Sequence, residues 1–157
     1  MFFDNRKTVL KLNKLRYITL LGFLTLVGII IWSGWFDELV LGISKLSYIV
    51  FLSIIYIFYL IFIFIINYHF FSFNDNGDKL VFRYVSFRPF DNAKKAIEIE
   101  KSRFGGYKIQ KSFFNLKTEL VLSVKTKNGL AKFPPIGISA LSKDQIKLLK
   151  MSLNQFV

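Results

Sequence analysis

The spacing of hydrophobic positions along this chain changes from continuous to alternating to helical. From Tyr17 to Phe36, "YITLLGFLTLVGIIIWSGWF", no residue carries a charge, and a second uncharged run covers Leu46 to Ile66. Twenty helical residues rise about 30 Å, the thickness of a hydrocarbon core. The pattern predicts two membrane-spanning helices, over about 17–36 and 46–67, joined by the short connector "DELVLGISK". Tyr17 at one end of the first run and Trp32, Trp35 and Phe36 at the other suit the bilayer interface. The polar atoms of the second run are the hydroxyls of Ser47, Tyr48, Ser53, Tyr56 and Tyr59. Each can bond back to its own helix or across to a neighbour. With no acid or base inside either run, no proton relay or ion pathway is indicated.

After Phe71 the pattern alternates. "FFSFNDNGDKLVFRYVSF" holds two apolar runs around Asn74–Asp78, a turn rich in residues that accept left-handed backbone, and so reads as a hairpin. Alternation sends Phe71 and Phe73 to one face. "KAIEIEK" puts Ile97 and Ile99 on one side and Glu98 and Glu100 on the other, and "TELVLSVKT" lines up Leu120, Leu122 and Val124. Gly105-Gly106 reads as a bulge or turn, Lys127-Asn128-Gly129 as a second hairpin turn, and Pro134-Pro135 as the end of a strand. Roughly six short strands are expected. Ser142 and Gln145 then have capping-box spacing, and Leu148, Leu149, Leu153 and Phe156 form an apolar stripe over a helix at 142–156.

Composition sharpens this picture. The 157 residues are 53% hydrophobic and carry a net charge of +12, with no Cys, so disulfides and Cys-based metal or redox sites are excluded. The charge is uneven. Residues 1–16 hold five basic side chains and one acid, whereas residues 17–71 hold only Asp37, Glu38 and Lys45. Lys and Arg flank the outer ends of the two runs, which predicts that both termini are cytoplasmic. The alternative for the first run, a cleaved signal peptide, fits poorly: the run is long and no small-x-small site follows it. Val9, Leu12 and Leu15, interspersed with Lys7, Lys11 and Lys14, make residues 1–16 a basic segment. It suits either an anionic leaflet or a plain topogenic flank.

The strand order, "AIEIEKSRFGGYKI" in the middle and "SKDQIKLLKMSLNQF" at the close resemble the bacterial PH-like domain of small membrane proteins with two N-terminal transmembrane helices. The resemblance covers residues 69–157 and extends to the preceding hairpin at 17–68. It implies an α+β membrane protein: a two-helix transmembrane hairpin, then an antiparallel β-sheet or partly open barrel capped by the C-terminal helix.

Catalytic chemistry finds no constellation. The single His69 stands at a boundary, where an interfacial or strand role is expected rather than that of ligand or base, and Glu98 and Glu100 sit among lysines. No enzyme activity, cofactor or metal is expected. Basic residues are the remaining signal, with Lys79, Arg83, Arg88, Lys94, Lys95, Arg103 and Lys108 as candidate headgroup or partner contacts. Lys101 and Lys111 belong to the same basic set. Arg83 and Arg88, five apart, fall on opposite strand faces, so a specific inositol phosphate site is not expected. The expectation is a non-enzymatic protein of the inner (cytoplasmic) membrane. Its partners would be the lipid bilayer, anionic headgroups or other proteins; the alternative is a structural accessory subunit of a larger membrane complex. Nucleic acid is not expected as a partner: the same basic and aromatic residues are explained by tethering and strand alternation.

Overall fold

A computed structural model describes residues 1–34, 44–86, 93–127 and 129–156. The expected anchors Trp35 and Phe36, the connector over 37–43, Arg88 and the turn residue Asn128 lie outside the described residues. The chain divides into two compact units, Leu10–Phe64 and a second made of Met1–Val9 together with Ile65–Val157.

The first unit contains most of two helices, α1 (Arg6–Trp32) and α2 (Lys45–Ile66). Both are long and apolar enough to cross a membrane. The 22 residues of α2 reach roughly 33 Å. The 27 residues of α1 reach roughly 40 Å, about 10 Å more than a hydrocarbon core needs. The excess is the basic stretch beginning at Arg6, which is the start of α1 rather than a segment of its own. Of the second-run hydroxyls, Ser53 donates back to the Ile49 carbonyl and Tyr59 lies 3.2 Å from the Thr19 hydroxyl of α1, as expected; in α1, Thr25 donates to the Leu21 carbonyl. Phe23 and Tyr56 stack with ring centroids 4.4 Å apart. Most apolar side chains of both helices are exposed, Phe58 at 68% and Leu21 at 67%. A helix that hides its apolar surface in a soluble core does not look like this; the surface needs an apolar environment from outside the chain.

The second unit is a β domain. Its described residues form two antiparallel sheets with one shared core. The first has the order β1 (Phe2–Asp4), β2 (His69–Asn74), β3 (Lys79–Ser86), β4 (Lys94–Glu100). The second joins β5 (Phe104–Ser112), β6 (Lys117–Thr126) and β7 (Gly129–Lys132), with β8 (Ile136–Gly137) pairing with β6. Phe71, Phe73, Leu80, Phe82, Ile97 and Ile99 from the first sheet meet Phe104, Leu120 and Leu122 from the second, and Leu149 and Leu153 of α3 (Lys143–Leu153) complete the core. Ser142 caps α3 in the expected capping box with Gln145. The Asn74–Asp78 hairpin, the bulge at Phe104–Gly106 and the inward faces of β4 and β6 all agree with the alternation in the sequence.

Two strands depart from the expected count. β8 resumes pairing after Pro134-Pro135, two residues long, with Ile136 opposite Leu120. β1 is the larger difference. Residues 1–16 were expected to precede the hairpin as a separate segment, yet Phe2–Asp4 add an edge strand to β2, with Phe3 opposite Phe73 and tilted against the rings of Phe71 and Phe73. The β domain therefore does not begin at residue 69. Its first strand comes from the chain that precedes α1 in sequence. Three residues are too few to carry a period, so only the tertiary partner makes the strand.

Candidate functional site

The candidate site is built on the end of the β domain through which the chain passes to and from the helices. One residue, Asn5, separates β1 from α1, and two, Asn67 and Tyr68, separate α2 from β2. Asn5 occupies the N-cap position of α1, its carbonyl accepting from Val9 N–H at 3.0 Å. Its side chain does not cap the helix. The Nδ2 group donates to the His69 carbonyl at 2.9 Å, and Oδ1 accepts from Phe71 N–H at 2.8 Å. Asn5 N–H also donates to the Phe71 carbonyl at 3.1 Å. The amide extends the β1–β2 ladder by one rung as β1 gives way to the helix, and is buried. Ser86 donates to Asn67 Oδ1 at 3.0 Å, fixing the last residue of β3 beside the chain that leaves α2.

His69, 9% exposed, joins the two sheets here. Gly137 of β8 packs directly on it, so closely that a methyl group at residue 137 would overlap the imidazole. Gly137 is paired with Glu119, which places the start of β6 and the β5–β6 turn at this same junction end. The expectation of a strand role for His69 is what the fold gives it.

The candidate basic residues are divided by this geometry. Lys94 and Lys95 start β4, opposite Val85 and Tyr84, and lie at the junction end. Lys79 is at the far end, opposite Glu100, with its ammonium 3.6 Å from Glu98; both side chains are more than half exposed, so the pair contributes little. Arg103 closes a 3₁₀ turn over Lys101–Arg103, also at the far end. Arg83 stands midway along the outer face of the first sheet between Ser72 and Ala96. Lys108 lines an open cleft of about 630 Å³ with Tyr107, Lys150 and Asn154. Arg88 is outside the described residues. Lys94 and Lys95 are brought together; of the other described candidates, Lys79 and Arg103 lie at the far end and Arg83 and Lys108 stand midway on different sheets.

The far end carries its own polar clamp. Asp75 in the β2–β3 turn accepts from the Met1 amino group and from Ser152 Oγ at 2.6 Å. Burial pushes the Asp75 carboxyl up, but the amine and Ser152 hydrogen bonds, with the charges of that amine and Lys101, outweigh it and hold the carboxyl below its ordinary value. Burial pushes the Tyr84 phenol up.

Within the helical unit, Asn13, Arg16, Tyr56 and Tyr59 line a cleft of about 260 Å³ where the charged start of α1 meets its apolar stretch. Among the described residues no three His, Asp or Glu side chains come together as a metal site needs.

Comparison with family models, curated proteins and solved structures finds no match to this chain.

Sequence reasoning missed Asn5, Gly137 and the β5–β6 turn. Asn5 left a weak signal, an Asn beside a basic helical stretch, which reads as an ordinary cap. Gly137 left none, because its constraint is the ring of a residue 68 positions away.

Proposed function

We propose that this chain is a non-enzymatic integral membrane protein whose PH-like β domain works against the cytoplasmic face of the membrane and meets anionic lipid headgroups. The observation that carries the reading is the pairing of β1, which precedes α1, with β2, which follows α2. A β-sheet cannot be hydrogen-bonded through a bilayer, so both flanks of the helical pair belong on one side. Two crossings satisfy that requirement and one does not. The Lys and Arg residues outside the apolar runs support the cytoplasm as that side. Two antiparallel sheets closed by a C-terminal helix support the PH-like reading.

Lys94, Lys95 and the exposed Lys111 of β5 belong to the junction end, where each basic group held near an anionic surface contributes up to about 1 kcal/mol. Because the basic candidates do not converge on one pocket, the attraction is one of charge and not of a specific headgroup. Lys79 and Arg103, at the other end, serve solubility.

Amine-reactive footprinting of the full chain in nanodiscs tests this. Anionic lipid should slow modification of Lys94, Lys95 and Lys111 relative to zwitterionic lipid, and salt should reverse the effect, while Lys79 and Lys127 stay unchanged. Equal reactivity in both lipids would remove the headgroup reading. The second reading, an accessory subunit of a membrane complex, is favoured by the exposed aromatic surface of α2, which includes Phe51, Phe58 and Phe64. Stoichiometric co-purification of a partner in mild detergent would support it.

A further inference from the structure

The β5–β6 hairpin ends in Phe113, Phe114, Asn115 and Leu116, all exposed, Phe114 at 91%. Three of the four, Phe113, Phe114 and Asn115, have positive φ, between 51° and 66°. Asn tolerates that backbone; phenylalanine pays a steric cost for it. Burial within the β domain does not offset the cost: the Phe114 ring is exposed and lies edge-on to Phe113. Turns at the far end are built differently. Asn74–Asp78 holds no apolar residue, and the β6–β7 turn reads Lys127-Asn128-Gly129. The Phe113–Leu116 turn lies instead beyond Lys117 and Glu119, at the end of β6 that pairs with β8 over His69. The exposed Lys111 flanks it on β5, while Lys117 on β6 is paired with Glu119 at 2.7 Å.

We propose that the Phe113–Leu116 tip is a second membrane contact, entering the headgroup and upper acyl region of the leaflet from which the chain passes into α1 and out of α2. The inference rests on the integral membrane reading above. Three features select lipid as the occupant. The tip belongs to the junction end of its own domain. Aromatic rings next to lysines are the composition of a bilayer interface, the rings entering while the lysine stems reach back to headgroup phosphates. Phe113 and Phe114 are both exposed at the tip, whereas the Asn74–Asp78 and Lys127–Gly129 turns of the far end are polar. The tip would hold the β domain at a third point, besides its two covalent connections, and so set its orientation on the surface.

Single-tryptophan variants of the full chain in vesicles containing bromine-labelled acyl chains test the inference. One variant keeps Trp32 and carries Trp35→Phe. Two others carry Trp32→Phe and Trp35→Phe with either Phe114→Trp or, at the far end, Leu130→Trp; Leu130 is also an exposed apolar residue. Quenching of Trp32 and of the residue at 114, with none at 130, is the expected result. Quenching of Trp32 alone would overturn the tip contact and leave the membrane reading standing; this is also the outcome if the tip docks on another protein. No quenching of Trp32 would overturn the membrane reading and the tip with it. Because the chain has no Cys, a nitroxide on Asn115→Cys gives an independent readout. Its collisions should be more frequent with oxygen than with a water-soluble nickel chelate; the reverse preference would contradict the proposal.

Discussion

The side-chain amide of Asn5 replaces a strand residue opposite His69 and Phe71, giving one hydrogen bond to the His69 carbonyl and taking one from Phe71 N–H. It ties the chain before the first apolar helix to the chain after the second. Asn5→Ala would leave a buried donor and a buried acceptor without partners, each costing about 1–3 kcal/mol. The β domain should lose roughly 2–6 kcal/mol in denaturant unfolding followed by the near-ultraviolet signal of its aromatic core. A change within error would mean that water satisfies both groups and that the junction is looser than described.

Gly137 offers a steric test at the same end. Alanine there must displace the His69 ring, and overpacking of a close contact costs about 1–3 kcal/mol. Gly22→Ala is the contrast: a methyl group at that position of α1 meets nothing within 4 Å. Thermal unfolding should fall for Gly137→Ala and stay or rise slightly for Gly22→Ala.

Acid stability reports on Asp75. Its folded-state pKa lies below the ordinary value of 3.8, so its contribution is complete above that value and is lost as pH falls through the folded-state pKa. The stability difference between the native chain and Asp75→Asn should be flat from neutrality to about pH 5 and shrink below about pH 4. A difference that grows on acidification would reverse the sign and show that the carboxyl is held in its protonated form.

Strain at the hairpin tip has a measurable sign as well. A left-handed backbone costs an ordinary residue about 1–2 kcal/mol, and Asn considerably less. Phe114→Asn should therefore stabilise the β domain by up to about 1 kcal/mol in chemical denaturation, even though it removes an apolar residue. Loss of stability would mean that the ring is covered in the folded protein.

Most of the architecture was legible in the sequence because its signals are periodic. Uncharged runs of about twenty residues mark the two helices, alternation marks Ile97 and Ile99 or Leu120 and Leu122, and Ser142 with Gln145 marks the start of α3. Elements created by distant partners were not legible. Phe2–Asp4 become a strand only because β2 offers an edge, and Gly137 is required only because His69 returns beside it. The basic candidates show the same limit. Composition names Lys79, Lys94 and Arg103 alike, and only register separates one end of the domain from the other. The tip at Phe113–Leu116 was hidden for a different reason: two phenylalanines in a turn break the usual turn chemistry, and a pattern built on Gly, Asn and Asp passes over them.

The central claim is that α1 and α2 cross the membrane as a hairpin, with the β domain assembled from both flanks on the cytoplasmic side. The chain has no Cys, so single cysteines can be placed at Gly42, in the connector, and at Lys127, in the β domain. Labelling with a membrane-impermeant maleimide in intact spheroplasts and in inverted vesicles reads each side directly. The account requires residue 42 to react only in spheroplasts and residue 127 only in inverted vesicles. Reaction of both positions from the same side would contradict it.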